Sequence, residues 1–287
     1  MHLSARRSLL FAPAHRAEYF AKAAEKGADI VCLECEDAVP ASQKKQAREA
    51  MTELFATRPS FAFAPAYQEY IVRINGLDTA DGQADLEAVL SNQLVPDALL
   101  IPKIEDAEQL ISVDKKLRQA GLECQLMVLI ETAQGLENAA SIVRSTPRLS
   151  LCLFGGVDLA AELGCEMSWM ALLYARQRLI QACALARLDV LDMPSLEIAE
   201  KHLVAEEAEK ARQIGFKGKA AIHPSQLEIL HDCFTPAPEE IEQARAICAA
   251  CEAIDGGAGM LNGRLIEKPV LLAAQKLLAR AHSLGLK

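Results

Sequence analysis

Three carboxylates follow an apolar, strand-like run near the start of the chain. The segment IVCLECEDAVP begins with residues typical of a buried strand and then places Glu34, Glu36 and Asp37 within four positions. Carboxylates crowded beside an apolar strand require a cation, a hydrogen-bond network or open water. The segment therefore predicts a polar site at the end of a strand, and the rest of the chain must indicate what neutralises it.

Other apolar runs also carry their polar residues at one end only. YIVRIN, LLIPK, VLIET and LCLFGGVD all follow this pattern. In a barrel of parallel strands, the carboxyl ends of all strands meet at one face, so such residues converge there. The residues at these ends are Arg73, Asn75, Lys103, Glu131, Gly155, Gly156 and Asp158.

Several acids at one face predict a bound cation. Mg²⁺ suits all-oxygen ligation and commonly takes only one or two protein carboxylates. Glu131 and Asp158 follow consecutive strand-like runs, which makes them the expected ligand pair. Glu36 and Asp37 would then hold the waters of the metal. For each acid taken singly, a solvated strand end is the alternative.

Arg73 and the glycine pair could bind a substrate at the same face. Arg73 follows Ile71 and Val72 in a buried run, so its charge requires an anion, either a protein carboxylate or a carboxylate of the substrate. Gly155 and Gly156 allow a close approach of the backbone, with N–H groups directed at a ligand. The alternative for the glycines is a tight turn between strand and helix.

Two cations follow the first strand-like run. Arg16 and Lys22 bracket the start of the first predicted helix in FAPAHRAEYFAKAAEKGAD. A helix N-terminus and two cations together favour a phosphate group. Two solvated surface cations are the alternative.

Strand-like and helical patterns alternate along most of the chain. Continuous apolar strands, each followed by a helix, indicate a parallel sheet buried on both faces. Eight such units predict an α/β fold of the closed (β/α)8 TIM-barrel type. A doubly wound open sheet is the alternative, although no Gly-x-Gly-x-x-Gly follows the first strand. The predicted strands are Arg7–Ala12, Ile30–Glu34, Tyr70–Ile74, Ala98–Pro102, Leu126–Glu131, Leu149–Phe154, Leu188–Leu191 and Lys219–His223.

The residues after the eighth strand predict an appendix to the barrel. Residues 1–230 are assigned to the barrel and residues 231–287 to a C-terminal helical extension. The extension contains two predicted helices, Glu239–Ala253 and Pro269–Leu284. The Gly-rich stretch GGAGMLNG between them predicts a flexible hinge.

Composition limits the class of protein. The chain has 287 residues, of which 51% are hydrophobic, and a formal net charge of −9. The acidic balance argues against nucleic acid or an anionic membrane as a partner. Neither a signal segment nor an apolar run long enough for a membrane span is evident. The nine scattered cysteines favour reduced thiols and a cytoplasmic protein over a zinc site.

Several segments, in order along the chain, resemble the citrate lyase beta-subunit-like family of the HpcH/HpaI aldolase superfamily. They include RRSLLFAPAHR, LECEDAV, VRIN, LIETAQGLENA, LFGGVDLAAELG and GFKGKAAIHPSQL, and the match runs from about Arg6 to the C-terminus. The resemblance implies a carbon–carbon lyase that uses Mg²⁺, for which Mn²⁺ can substitute, and coenzyme A as part of the substrate. It also implies a homotrimer or a larger multiple.

The resemblance implies roles for individual residues. Glu131 and Asp158 correspond to the metal ligands. Near the end, NGRLIEKP carries Glu267 where the family usually has Asp, in a segment that reaches the site of a neighbouring subunit. The implied catalytic set is Arg73, Glu36, Asp37 and Glu267; the substrate-binding set is Arg73, Glu131, Gly155 and Gly156; and the coenzyme A contacts are Phe11, Arg16 and Lys22.

The expected reaction is cleavage of a 3-hydroxyacyl-CoA. (3S)-Citramalyl-CoA, giving acetyl-CoA and pyruvate, is the preferred substrate and malyl-CoA the next. One alternative is the beta subunit of a citrate lyase, acting on a citryl thioester of a carrier protein. The other is a metal-dependent aldolase of 2-oxo acids without coenzyme A, which Arg16 and Lys22 disfavour.

Overall fold

The structure, a computed structural model, describes residues 6–61, 67–253 and 258–286. Within these ranges, eight parallel strands pair in sequence order, and the first pairs with the eighth to close a barrel. The predicted (β/α)8 barrel is therefore confirmed, and the open-sheet alternative is wrong. The strands are β1 Ser8–Pro13, β2 Ile30–Glu34, β3 Glu69–Arg73, β4 Ala98–Ile101, β5 Gln125–Ile130, β6 Leu149–Phe154, β7 Asp189–Asp192 and β8 Gly218–Ala221.

Helices follow the strands and cover the outside of the barrel. The segment after the fifth strand forms two short helices that are separated at Asn138. Among the described residues, no helix has the length and apolar character to cross a membrane. The helices are α1 Glu18–Glu25, α2 Lys44–Phe55, α3 Ala80–Ser91, α4 Ala107–Gln119, α5 Ala133–Glu137, α6 Ala139–Ile142, α7 Gly156–Leu163, α8 Trp169–Ala186, α9 Lys201–Ile214, α10 Leu227–Phe234, α11 Pro238–Ala253 and α12 Lys268–Ser283.

The alternation of side chains along the strands determines what faces the barrel interior. In β2, Ile30 and Cys32 belong to the interior cluster, whereas Val31 and Leu33 pack against the helices. Because successive side chains point to opposite faces of a strand, the next inward position after Cys32 is Glu34. The same parity continues from Ile71 to Arg73 in β3 and from Leu129 to Glu131 after β5. Polar side chains therefore form the layer above the apolar interior.

The C-terminal extension packs along one side of the barrel. Helices α11 and α12 lie against each other, and Arg280 of α12 donates to the carbonyls of Phe234 and Lys217. Part of the predicted flexible stretch is ordered: strands β9 Gly259–Leu261 and β10 Arg264–Ile266 form a hairpin. Asn262 and Gly263 have φ of 51° and 75°, as a tight hairpin turn requires.

Two sequence-based assignments in the extension are only partly covered by the structure. Gly256 and Gly257 of the predicted hinge lie outside the described residues. The predicted division at residue 230 falls inside α10, which ends at Phe234. The division into a barrel and a C-terminal extension remains a prediction.

A buried carboxylate joins α4 to the loop that leads into β6. Asp114 accepts hydrogen bonds from Arg118, Arg148 and Thr146, the last at 2.6 Å. The Arg118 hydrogen bond lowers the pKa of Asp114 most, and Thr146 and Arg148 add to this, so that the pKa is about 2 although burial opposes the change. Ionised Asp114 thus stabilises the folded state.

We expect Asp114→Asn to reduce the free energy of unfolding by about 2 kcal/mol at pH 7, because a pKa difference of one unit corresponds to about 1.4 kcal/mol. The folded pKa is below the unfolded one, so this stabilisation is complete above about pH 4 and is lost as the pH falls towards 2. Urea unfolding at pH 7, 4 and 3 measures the difference in free energy of unfolding between the wild type and Asp114→Asn. The exposed Asp232→Asn serves as the control. A difference in free energy of unfolding that stays constant from pH 7 to 3 would contradict the stabilising role of ionised Asp114.

Candidate active site

A cavity of about 250 Å³ opens at the carboxyl ends of the strands. Part of its lining is charged and part is apolar, which is the usual character of a small-molecule site. The charged lining is Glu34, Asp37, Arg73, Glu131 and Asp158, and the apolar lining includes Phe11, Leu129, Leu153, Phe154, Met193 and Ile222.

Arg73 lies at the centre of the charged side and is 9% exposed. Its guanidinium forms a close ion pair with Glu34, the residue opposite it on β2. Glu36 and Asp37 each lie 3.5 Å away. On the other side, the guanidinium carbon lies 5.1 Å from the centre of the Phe11 ring. The chain itself therefore supplies much of the counter-charge that the acidic segment requires.

The ion pairs of Arg73 decide its charge state. Burial alone would lower the pKa of Arg73, but the charges of Glu34, Glu36 and Asp37 outweigh burial and raise it. Burial also raises the pKa of Glu34, against the opposing effect of Arg73. Arg73 is thus a permanent cation, and an incoming carboxylate must share it with protein acids.

Lys103, a strand-end residue left out of the sequence-based site, contacts four of the predicted acids. Its ammonium lies 2.5 Å from Glu36, 3.7 Å from Asp37 and 3.9 Å from Asp158. Its backbone N–H donates to Glu131 at 3.0 Å. The position of Lys103 directly after an apolar run was the available sequence signal. Its contacts depend on a left-handed backbone with φ of 52°, which the sequence did not reveal.

Glu131 is the most perturbed carboxylate at this face. It is 3% exposed. Burial raises the pKa of Glu131 to about 9, and the nearby charges of Glu36 and Asp158 add to the rise. A carboxylate in these surroundings is unfavourable as an isolated anion, so it favours either a proton or a cation.

Gly155 and Gly156 serve the packing of the site more than a direct ligand contact. A Cβ atom on Gly155 would lie 2.3 Å from the Cβ of Glu131, and one on Gly156 would lie 2.4 Å from the sulfur of Met193. The N–H of Gly155 donates to the carbonyl of Ile130, so it is not directed at a ligand, contrary to the expectation. Only glycine at position 155 leaves room for Glu131.

The sequence pattern suggested that Asp158 extends from a strand end, but it does not. It lies in the first turn of α7, and its carboxylate is 40% exposed. Asp158 and Glu131 nevertheless line the same cavity. The predicted pair is therefore brought together by a strand end and by the helix that follows the next strand.

The donor set fits a divalent cation that retains several waters. Glu131 and Asp158 offer oxygen atoms only, and the buried charge of Glu131 lacks a close side-chain cation in the described contacts. Within the residues that the structure describes, no three His, Cys, Asp or Glu side chains form a metal-binding group. Two carboxylates are sufficient for Mg²⁺ but not for a closed zinc site.

The predicted coenzyme A contacts are only partly brought to the cavity. Phe11 lines it, whereas Arg16 and Lys22 lie outside and flank the ring of Tyr19 at 4.8 and 5.3 Å. Lys22 belongs to the last turn of α1 and not to its start. Tyr19 was missed by sequence reasoning. Arg16 and Lys22 are exposed and Tyr19 is half-buried, so the three form a surface beside the first strand end, where Glu18 also lies 3.9 Å from Arg16.

Glu267 is not part of the cavity of its own chain. It precedes α12 in the extension, it is exposed, and no residue of the hairpin or of α12 lines the cavity.

A second, larger cleft of about 490 Å³ lies at the opposite face of the barrel. There, Arg6 and Arg58 are already paired with Glu69 and Asp97.

Comparisons with known proteins place this geometry in context. A family model described as HpcH/HpaI aldolase/citrate lyase matches residues 7–224, and one described as a C–C bond lyase of the TIM-barrel fold matches residues 174–286. The chain is 34% identical to (3S)-malyl-CoA thioesterase of Cereibacter sphaeroides, over 97% of this chain and 95% of that protein. It is 29% identical to mitochondrial citramalyl-CoA lyase of Mus musculus, over 97% of this chain and 87% of that protein.

A solved structure extends the similarity to the whole chain. The protein CitE from Mycobacterium tuberculosis, in complex with magnesium, acetoacetate and coenzyme A, is 31% identical to this chain. The superposition has a TM-score of 0.80 and covers 98% of this chain and 100% of that one.

Removal of the guanidinium should reveal how much of the folded state depends on Arg73. We expect Arg73→Met to lower the free energy of unfolding by about 3–5 kcal/mol, because it leaves Glu34 buried without its partner. Adding Glu34→Gln should restore part of this loss. The control Lys210→Met breaks the exposed pair with Glu206 and should cost at most about 1 kcal/mol. Denaturant unfolding at pH 7 measures five proteins: the wild type, Arg73→Met, Glu34→Gln, the double variant and the control. Strict additivity of the two changes would mean that Glu34 does not hold Arg73.

Proposed function

Because this chain belongs to the HpcH/HpaI aldolase/citrate lyase family, we propose that it is a Mg²⁺-dependent lyase that cleaves a 3-hydroxyacyl-CoA. The preferred substrate is (3S)-citramalyl-CoA, which yields acetyl-CoA and pyruvate, and malyl-CoA is the next candidate. The observation that carries the proposal is the cavity that Arg73, Glu131 and Asp158 line together with apolar side chains.

The charged side of the cavity suits the 2-oxo acid product. The guanidinium of Arg73 can donate two parallel hydrogen bonds to a carboxylate and so orient the carbon–carbon bond to be broken. Glu131 and Asp158 would hold the metal ion. When bound, Mg²⁺ would act as a Lewis acid on the oxygen that becomes the 2-oxo group.

Cleavage also requires proton transfer. A base must take the proton from the hydroxyl group, the carbon–carbon bond then breaks, and the thioester carbon that leaves as an enolate must be protonated. Glu267 of a neighbouring subunit is the proposed carboxylate for this task. Glu36 and Asp37 remain beside Arg73 and Lys103, where they set the charge around the reacting acid.

The apolar side supports a branched acyl group. Leu129, Leu153 and Met193 form a surface that a methyl group on the tertiary carbon of citramalyl-CoA can contact. Such a contact contributes only about 1–3 kcal/mol, so the preference over malyl-CoA is a matter of degree. The relatives that act on malyl-CoA and citramalyl-CoA support both acyl groups equally.

The thioester part would lie across the first strand end. Phe11 of the first strand lines the cavity, and Arg16, Tyr19 and Lys22 follow that strand in the chain. Two cations beside an aromatic ring suit the phosphates and the adenine of coenzyme A. The complex of CitE with coenzyme A supports the same class of ligand.

The assembly and location complete the proposal. We propose a homotrimer, or a multiple of it, because the family resemblance implies one, and a second subunit would bring the exposed Glu267 to a cavity. We propose a cytoplasmic location because the scattered cysteines favour reduced thiols. Mn²⁺ is proposed to substitute for Mg²⁺ because both accept oxygen ligands. Nucleic acid and membrane are not among the proposed partners.

A substrate panel tests the reaction directly. We expect the highest kcat/KM with citramalyl-CoA, a lower value with malyl-CoA, loss of turnover after chelation, and recovery with Mg²⁺ or Mn²⁺. Full turnover in excess chelator, with no metal detected in the protein, would reject the metal dependence.

The same panel decides between the rival functions. Turnover of a citryl thioester on a carrier protein, with none of the free thioesters cleaved, would instead indicate a citrate lyase beta subunit. Cleavage of a 4-hydroxy-2-oxo acid, with no thioester accepted, would indicate an aldolase that does not use coenzyme A.

Mixing two inactive variants tests the role of Glu267 in the neighbouring site. Glu267→Gln should lose most turnover while it keeps its fold and its metal affinity. Oligomers assembled from Glu267→Gln and Asp158→Asn chains should regain part of the activity, because some interfaces pair one intact cavity with one intact extension.

The matched control is Glu242→Gln on the exposed face of α11, which should retain full activity alone. Subunit exchange is verified by mass spectrometry of tagged chains. If exchanged oligomers remain inactive although each variant assembles normally, the shared site is disproved.

A further inference from the structure

A lysine outside the cavity holds the backbone of the acidic segment. Lys44, the first residue of α2, directs its ammonium at three neutral oxygens. It donates to the carbonyls of Cys35 at 2.9 Å and Glu36 at 2.6 Å, and to the side-chain oxygen of Asn75 at 2.6 Å. An ammonium has three donors, so this side chain is fully used.

The position of Lys44 is unfavourable for the helix itself. The first turn of α2 carries no acidic residue, and a cation at a helix N-terminus opposes the helix dipole. The hydrogen bonds to the acidic segment are therefore a more convincing reason for this residue type than helix formation.

Asn75 connects the lysine to a rigid support. Its side-chain amide donates to the carbonyl of Cys35 at 3.0 Å and to Asp85 at 2.6 Å, and its backbone N–H also donates to Asp85. Asp85 is 1% exposed and accepts in turn from Arg48 of α2 at 2.7 Å. The third strand, α2 and α3 are thus tied together by one network.

The network ends at the acids that surround Arg73. Lys44 holds the carbonyl of Glu36, while the carboxylate of the same residue pairs with Lys103 and Arg73. A shift of the backbone at residue 36 would move this carboxylate away from both cations. Because buried ion pairs depend on close geometry, a small displacement has a large effect.

We propose that Lys44, supported by Asn75, is a positioning residue for the lyase reaction proposed above. It fixes the backbone of residues 35–37 and thereby the carboxylates that set the orientation of Arg73. Lys44 touches no reacting atom in this role. It acts through the acidic segment.

Hydrogen exchange and kinetics test the role of Lys44 with a neighbour as the control. In Lys44→Met, amides of residues 34–39 should exchange at least about tenfold faster, and kcat should fall on the order of 10- to 100-fold with a smaller change in KM. Lys45→Met should match the wild type in exchange and in kcat. The Lys45 side chain is 86% exposed, and its ion pair with Glu49 is long, at 3.9 Å. Lys44→Arg keeps the charge with a different geometry and should be intermediate, and it carries the test if Lys44→Met does not fold.

Each outcome decides the proposal. Unchanged exchange in residues 34–39, or an unchanged kcat, would overturn it. Faster exchange across the whole protein with an unchanged kcat would also overturn it, because Lys44 would then only stabilise the fold. If the wild type cleaves no thioester of the panel, the proposed function fails, and the local exchange rates alone decide whether Lys44 holds the segment.

Discussion

The buried charge of Arg73 is the constraint on which the active face depends. One guanidinium lies among the carboxylates of Glu34, Glu36 and Asp37 and against the ring of Phe11. Neither the acids nor the arginine would be tolerable there alone, because an unpaired buried charge strongly destabilises a fold. Together they keep a cation at the mouth of the barrel that is available to a bound carboxylate. The apolar strand residues beneath determine where along the barrel axis this charged layer lies.

Strand parity explains why much of this face could be predicted from the sequence. Once Ile30 and Cys32 face the interior, Glu34 must follow them, and Arg73 and Glu131 follow by the same rule on their own strands. The single-ended polar pattern also indicated the correct face of the barrel. Local rules of this kind are carried by a few consecutive residues, so they can be recognised without a structure.

The remaining features depend on contacts between distant segments. Three of these features arise from loop geometry. Asp158 lies on a helix, the N–H of Gly155 is used within the sheet, and the ammonium of Lys103 contacts Glu36. The support of the acidic segment by Lys44 and Asn75 crosses about thirty positions of the chain. No periodic pattern encodes such contacts. Sequence reasoning therefore identified the acids but not the network that holds them.

The backbone of Lys103 has a consequence for the evolution of this face. A residue other than glycine with φ of 52° carries a conformational penalty of about 1–2 kcal/mol. Glycine would relieve the penalty, but it would remove the ammonium that contacts Glu36, Asp37 and Asp158. The exchange would also leave Glu36, which is 5% exposed, with one cation fewer, and the loss of a buried pair costs more than the backbone penalty. Position 103 is thus expected to keep a lysine in a conformation that would otherwise select glycine.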